Sequence, residues 1–535
     1  REQAKRSLYI PTTMLWYEVA GISRGHIGDA NRDDRTIEGM LMYSQDIKNV
    51  VNIDAVLGMG LYNQSGTGLE VDFKNANDNI GPDNIAAAEG PFTPTSSKWE
   101  NEKRSQFGRL AVDVLDRYVV SATLRRDGTD KFFPSKKYAW FPSVSAAWKI
   151  TSEPWMKKVK WIDLLKIRAS YGVTGRDNLG TSLYGLYTMA PSYVKFGDNS
   201  INYIPYIKSG ADYPDVTWEK TIMKNIGIDF YFLGNRIYGS FDLFRNDVTD
   251  LLGTAPGEPL SMVGTRPVNY GHYYRSGWDA TLNTVNIKDL GGFTWTSTVT
   301  LTKYNMYWVE RTENYDYQVY QIREREPMNA QYYYHVTGII NADRSNMPDS
   351  QLSLGENSQR PGYPIIEDRN GDGIITTDDI YMNDVLPKIS IGFGNTFTWR
   401  NFDLDIFMYG QFGATKYNYA YSWANAGALS YGPPQNSNQF AYKIWNSQTN
   451  TDGTLPGIAT TRSDALPGNA GWDLGRQNAS FVRVRNITLG YNIDGNLLGK
   501  VLSKRIENIR VYFDAQNPLT FTTFSGVDPE IYTGN

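Results

Sequence analysis

The chain has 535 residues, no cysteine, three histidines and a formal net charge of −4, with 41% apolar and 14% aromatic residues. The missing cysteines exclude a disulfide scaffold, Cys-ligated zinc, thiol catalysis and iron–sulfur clusters, and the slight acidity leaves no basic field for nucleic acid. The apolar share is too high for a disordered chain, no stretch approaches the roughly 18 apolar residues of a membrane-crossing helix, and the charged start from Arg1 to Arg6 has no signal-peptide core.

The informative signal is alternation. Leu110, Val112 and Val114 oppose Arg109, Ala111 and Asp113, and after a tight turn at Asp116-Arg117 the set Tyr118, Val120, Ala122 and Leu124 opposes Val119, Ser121, Thr123 and Arg125. Further along, Val144, Ala146, Trp148 and Ile150 alternate with Ser143, Ser145 and Lys149, and Leu165, Ile167, Ala169, Tyr171 and Val173 with Lys166, Arg168 and Ser170. Ile226, Ile228, Phe230 and Phe232 follow, then, after Gly234-Asn235, Ile237, Phe241 and Leu243. Phe293, Trp295, Val299 and Leu301 face away from Thr294, Thr296, Thr298, Thr300 and Thr302, and Phe402, Leu404, Ile406 and Met408 from Asp403 and Asp405. Near the end, Val482 and Val484 alternate with Arg483 and Arg485 before the phase slips to Ile487, Leu489 and Tyr491, as a bulge near Asn486 produces. A last strand runs through Ile509, Val511, Phe513 and Ala515.

A period of 2 held this long marks half-buried strands. Roughly 14 or 15 of them, each about 9–13 residues long, suit tilted membrane-spanning strands. Connections of two to five residues (Asp116-Arg117, Leu233 to Asn235, Asn401) alternate with long polar ones: Asn63 to Glu100, Asn178 to Val216, Asn341 to Pro387, Lys416 to Asn478. Short turns at one end and long loops at the other describe an outer-membrane barrel. Lipid offers no hydrogen bonds, so a spanning sheet must close, and the 37 Tyr and 14 Trp suit interfacial girdles. The fold class expected is all-β, a transmembrane antiparallel β-barrel with long extracellular loops. The competing architecture is a large soluble β-protein, but no repeat of 20–50 residues supports a propeller or solenoid.

Several segments resemble one family. Phe107-Gly108-Arg109-Leu110, Asp116-Arg117-Tyr118 and Leu124-Arg125-Arg126-Asp127-Gly128, followed by Phe132-Phe133, stand in the order expected of the SusC/RagA-like TonB-dependent outer-membrane transporters of Bacteroidota. So do the run from Phe141 to Trp148 and the run from Leu165 to Gly175, where Arg176 replaces the family's usual Asn. Trp218-Glu219 with Asn225 to Phe230, the run from Phe481 to Tyr491, Gln516-Asn517-Pro518-Leu519 and Gly526-Val527-Asp528-Pro529-Glu530 complete the resemblance. It implies a 22-stranded barrel around an N-terminal plug, in the outer membrane of a Gram-negative cell. It also implies TonB-energised import of a large nutrient, oligosaccharide or peptide, with a SusD-like surface lipoprotein. Membership implies a transporter, not an enzyme. No plug or TonB box precedes Arg1, and the family's final strand is missing after Asn535, so residues 1–535 are expected to be the barrel portion, with the plug outside this chain. The alternatives are a TonB-dependent receptor for siderophore or cobalamin without a lid, or a soluble β-rich binding protein.

Three features are site candidates. The segment from Asp368 to Asp379 resembles an EF-hand-type loop: Asp368, Asn370 and Asp372 supply side-chain oxygens, Gly373 the sharp turn, Ile374 a main-chain carbonyl, Thr376 the ninth position and Asp379 the twelfth. The expectation is a structural Ca2+ or Mg2+ stiffening an extracellular loop, against an Asx-turn loop with no ion. Tyr332, Tyr333 and Tyr334, and Trp423 in the aromatic stretch from Tyr419 to Tyr431, are candidates for stacking on substrate, against plain girdle or loop packing. Arg109, Arg125, Lys166, Arg168, Asp229 and Asp242 are expected on the lumen face, paired with a plug or with water. The sequence shows no catalytic constellation: no nucleophile elbow on a strand–helix turn and no P-loop. His26, His272 and His335 lie far apart without metal-ligand spacing.

Overall fold

A computed structural model describes residues 2–10, 22–76, 79, 86, 88, 90, 92–179, 183–189, 194–195, 202–203, 206–209, 211–257, 265–311, 316–322, 324–418, 442–457, 466–494 and 508–530. Its principal element is a sheet of 15 strands hydrogen-bonded in chain order. They are β1 (Glu2–Ile10), β2 (Arg24–Ile47), β3 (Val51–Lys74), β4 (Thr93–Val114), β5 (Tyr118–Thr129), β6 (Tyr138–Lys149), β7 (Ile162–Arg176), β8 (Glu219–Phe232), β9 (Ile237–Pro256), β10 (Thr265–Leu290), β11 (Phe293–Glu310), β12 (Ile389–Trp399), β13 (Phe402–Phe412), β14 (Phe481–Asp494) and β15 (Asn508–Thr522). The strand count matches the alternation. The lengths do not: β2 and β3 each run 24 residues and β10 runs 26. At about 3.4 Å per residue they overshoot any hydrocarbon layer.

The chain packs as two compact units, residues 1–146, 170–222 and 248–270 in one and 147–169, 223–247 and 271–535 in the other. In the first, β2 to β5 pair antiparallel with unbroken register from Ile47↔Val51 to Arg24↔Lys74 and from Val51↔Val114 to Asp72↔Thr93. One face carries Ile37, Leu41, Leu57, Leu110, Val120 and Leu124, all exposed. Apolar side chains turned outward in a row are stable only against lipid. The opposite face carries Arg109, Phe107 and Arg125. The apolar row stops at Ile37↔Leu61, and above it the same face reads Arg35↔Asn63↔Glu102, then Asp33↔Ser65↔Glu100.

The expected loop from Asn63 to Glu100 is therefore wrong at both ends. β3 continues to Lys74 and β4 starts at Thr93, leaving only residues 75–92 as connection. Beyond the membrane both faces meet water, so the apolar/polar alternation vanishes while the backbone ladder persists. The turn read at Asp116-Arg117 lies one residue earlier. Leu115 and Asp116 take φ of 58° and 53°, and Arg117 N–H donates to the Val114 carbonyl. Two successive left-handed residues give the twist that matches flanking strands. Lys48-Asn49 (φ 54° and 53°) and Gly291-Gly292 (63° and 81°) do the same.

Also in this unit, the matched segments meet in a core of Phe132, Phe141, Leu183, Val216 and Trp218. The Trp218 indole lies 5.4 Å from the Phe132 ring and 5.6 Å from the Phe141 ring. Arg176 reaches 3.7 Å from the buried Glu219 carboxylate.

In the second unit aromatic residues gather where strands meet short turns. Trp161 lies 5.5 Å from Phe232, Phe397 stacks between Trp295 (5.7 Å) and Phe293 (6.4 Å), and Trp399 and Phe402 flank the turn at Arg400-Asn401. Ring faces in apolar surroundings with polar edges near water make an interfacial girdle. The phase slip near Asn486 is a bulge: Phe407 pairs with Asn486 and Met408 with Val484, so Arg485 is left over.

The connection from Asn341 to Pro387 is not the open polar loop its composition suggests. With residues 330–340 and 466–478 it forms a packed module with two small cores, one of Tyr334, Leu354, Ile366, Ile375 and Leu466, the other of Ile340, Tyr363 and Ile365. Short strands Ala330–Tyr334, Tyr381–Asp384 and Gly471–Trp472 form its sheet.

Candidate functional site: the loop module and the charged wall

Lys166, Arg168, Asp229 and Asp242 come together on β7, β8 and β9. Arg168 Nε donates to Asp229 at 3.1 Å and Nη2 to Asp242 at 2.6 Å, while Lys166 Nζ lies 2.8 Å from Asp229. These groups pair with one another along the wall. On the first unit's wall Arg125 is held by Asp127 (2.7 Å) and Ser105 (2.8 Å), and Arg109 donates to Ser121 at 3.2 Å. Pairs two apart on one strand share a face, which is how Arg125-Asp127 and Arg245-Asp247 (2.9 Å) recur.

The three tyrosines divide. Tyr334 has no exposed surface, and its hydroxyl is within donating distance of the Thr376 (2.9 Å) and Pro467 (3.0 Å) carbonyls. It is a core anchor with no face free to stack on a ligand, because the module closes over it. Tyr332 is half-buried; its hydroxyl donates to Glu326 at 2.9 Å and accepts from Ile322 N–H at 3.1 Å. Burial, then Glu326, pushes this phenol up to about 12. Tyr334 and Tyr381 are raised too, burial being the main cause in each. Tyr333 lies under Arg476, whose guanidinium sits 4.2 Å from the ring and bonds its hydroxyl. Trp423 lies outside the described residues, with the rest of 419–441.

The EF-hand-like loop is tightly closed. Asp368 accepts from Gly371 N–H and Gly373 N–H, both at 2.8 Å, and Gly373 takes φ +89°, the sharp turn such loops need at the sixth position. Asp372 N–H donates to Asn370 and Ile374 N–H to Asp372, each at 3.0 Å. Asp379 is 1% exposed and accepts from the N–H groups of Arg369 (2.7 Å), Asn370 (3.3 Å) and Thr376 (2.8 Å), while Thr376 caps the following turn. Among the described residues no three His, Asp or Glu side chains stand close enough to cage an ion. Asn370 and main-chain carbonyls would have to complete any oxygen set.

Sequence reasoning missed two ionic anchors. Arg483, nearly buried, donates to Asp528 and Glu530, both at 2.7 Å, and to Thr520 at 2.9 Å. Glu326, 1% exposed, pairs with Arg311 at the root of the loop module. The signal for the first was present as an Arg-x-Arg and an Asp-Pro-Glu, but their partnership is not local. At the loop end of β7, Asp177 is held below the usual carboxylate range: burial opposes this, and Lys103 at 2.9 Å with Lys131 outweighs it.

A sheet this long, apolar outside and charged inside, with turns and loops alternating, defines an outer-membrane β-barrel protein. The chain belongs to the TonB dependent receptor-like, beta-barrel family, whose model matches residues 9–517. That family comprises receptors and transporters, not enzymes, and the soluble alternative falls with it. The chain is 29% identical over 461 residues to TonB-dependent receptor P3 of Formosa agariphila, covering 84% of this chain and 44% of that protein. It is 28% identical over 456 residues to TonB-dependent receptor SusC of Bacteroides thetaiotaomicron, covering 82% and 42%. The structure of the RagAB peptide transporter superposes with a TM-score of 0.78 at 19% identity, covering 98% of this chain and 56% of that one. The SusC/RagA resemblance read from the motifs holds. The chain thus spans under half the length of these two relatives.

Proposed function

We propose that the intact protein imports a large nutrient, an oligosaccharide or a peptide, across the outer membrane, energised through TonB and assisted by a SusD-like surface lipoprotein. The observation that carries this is the packed loop module over residues 330–388: an ordered, multi-core loop gives a lid and a substrate fixed surfaces to meet, which short mobile loops do not. Family membership supplies the barrel in which a plug acts as gate. A lidless siderophore or cobalamin receptor is the competing reading. The deciding experiment is purification of the tagged, full-length protein from native membranes. Co-purification of a surface lipoprotein, with uptake of oligosaccharide or peptide abolished by deleting TonB, supports the proposal. A lone receptor that takes up a ferric chelate overturns it.

We further propose that the 368–379 loop takes a Ca2+ or Mg2+ ion as a structural stiffener. The turn at Gly373 and its bond to Asp368 favour this over a plain Asx-turn loop.

A further inference from the structure

On β5 the outward apolar row of Val120, Ala122 and Leu124 ends at Arg126, whose partner on β4 is Gln106 and whose next neighbour along that row is Met59 of β3. The eight residues from Tyr118, beside the short turn, to Arg126 cover about 27 Å of strand, close to the roughly 25 Å apolar height of an outer-membrane wall. Arg126 thus stands at headgroup level on the loop side. Its guanidinium carbon lies 4.1 Å from the centre of the Tyr138 ring and 5.8 Å from that of Trp140, both on β6 and both exposed. Lys137 Nζ lies 6.0 Å from the same tyrosine ring. Tyr138 leans on Gly128, where a Cβ would fall 2.3 Å from its Cε1 atom, and Gly128 is the partner of Arg104. Two cations are therefore held at one ring, and a third stands on the strand beside it.

The acids nearby are taken. Glu102 pairs with Arg104, Asp127 faces inward to Arg125, and Asp130 accepts the Glu102 N–H at 2.9 Å. Among the described residues no carboxylate pairs with Arg126 or Lys137. Other arginines of the wall differ. Arg245, the next outward residue after Leu243 on β9, has Asp247 at 2.9 Å. A guanidinium stacked on a ring keeps the N–H donors of its edge free, and that planar edge matches a phosphate bidentately. Directly beneath it Leu124 and Met59 are exposed on the lipid face. Uncompensated cations above an open apolar wall fit an amphiphile with a phosphate at its head and acyl chains below. A soluble anion has no use for the wall. A zwitterionic lipid brings its own cation into a site that already holds two.

We propose that Arg126, Lys137 and Trp140 form a site on the outer wall for the phosphorylated headgroup of an outer-leaflet lipid. Arg126 donates to the phosphate from its free edge, Lys137 supplies the second positive charge, and Trp140 sits at the border between headgroup and acyl chains. The site needs only the barrel wall and holds whichever nutrient crosses it. The test uses the full-length protein in detergent, titrated with diphosphorylated lipid A, with the same lipid after removal of its phosphates, with phosphatidylcholine and with inorganic phosphate. Bound lipid is counted by native mass spectrometry, and the thermal transition is followed by heat-modifiable gel migration, which also verifies folding. The variants are Arg126→Gln, Arg126→Lys and the double variant Arg126→Gln with Lys137→Gln. The expected result is that the phosphorylated lipid binds the wild type and raises its transition. Affinity is expected to fall about tenfold in Arg126→Gln, further in the double variant, and to be largely kept in Arg126→Lys. Unchanged binding by the folded double variant overturns the site. Equal binding of the phosphate-free lipid or of phosphatidylcholine overturns it too, because the apolar wall alone then suffices. Displacement of the lipid by an equal concentration of inorganic phosphate overturns the lipid as occupant and leaves a soluble-anion site.

Discussion

The Arg168 guanidinium lies 2.6 Å from the Asp242 carboxylate, and the two meet over the bare Cα of Gly227. A Cβ at that position would fall 2.6 Å from Asp242 Oδ1 and 2.7 Å from Arg168 Cζ. The glycine inside the matched segment from Asn225 to Phe230 is thus required by what crosses over it, not by its own φ. Gly227→Ala pushes the pair apart in a wall only partly screened by water. The expected cost is about 1–2 kcal/mol, seen as a lower temperature for the folded-to-unfolded shift on detergent gels. An unchanged transition in Gly227→Ala would show that the pair moves aside freely.

Tyr334 is the keystone of the loop module. Tyr334→Phe leaves the Thr376 and Pro467 carbonyls without their donor, which costs about 1–2 kcal/mol. Tyr334→Ala also opens a cavity and costs about 3–5 kcal/mol. Both losses belong to the module. Hydrogen exchange and proteolysis over residues 330–388 are expected to rise while the β12–β14 strands stay protected. Equal loosening of those strands counts against a separate module.

The phenols give the module an alkaline limit. Tyr332, lifted to about 12 by burial and Glu326, stays protonated in the folded state where an unfolded tyrosine ionises near 10. A group raised on folding contributes stability that is complete below its unfolded value and is lost as pH rises through the folded one. Module stability is therefore expected to hold up to about pH 10 and to fall between about 10 and 12. Phenolate absorbance should lag behind free tyrosine over the same interval, and Tyr332→Phe should shrink the lag.

Asp379 separates the two readings of the 368–379 loop. Its carboxylate holds three backbone N–H groups, so Asp379→Ala loosens the loop with or without an ion, by about 1–3 kcal/mol. If a cation is bound, a chelator lowers the melting temperature of the wild type, added Ca2+ restores it, and neither affects Asp379→Ala. A wild type indifferent to chelator and Ca2+ leaves a hydrogen-bonded loop only.

Arg483 pins the segment after β15. Arg483→Gln removes the charge from a site where Asp528 and Glu530 converge, leaving two carboxylates to repel one another. Protease cleavage within 523–530 is expected to quicken several-fold, with β14 and β15 intact. An unaltered cleavage pattern means Arg485, which also bonds Glu530, suffices.

The sequence by itself determined what is local and periodic. Leu110, Val120 and Leu124 had to share a face because a strand's side chains alternate, and lipid on one side with water on the other writes that alternation into the residues. The slip around Arg485 was visible because a bulge breaks that same period. The matched segments carry the family resemblance by themselves, because they are local in sequence. What the tertiary structure decided is where the period carries no information or the partners are distant. β3 and β4 run on past Asn63 because ladder hydrogen bonds are indifferent to which side chains face water. Tyr334 lies in a core and Tyr332 beside Glu326, although the two stand next but one in sequence, because the module folds over one and not the other. Arg483 finds Glu530 and Trp99 finds Gly66 only through the register of strands. Composition does not encode those pairings, because the energy that selects them comes from contacts between distant segments and not from the segments themselves.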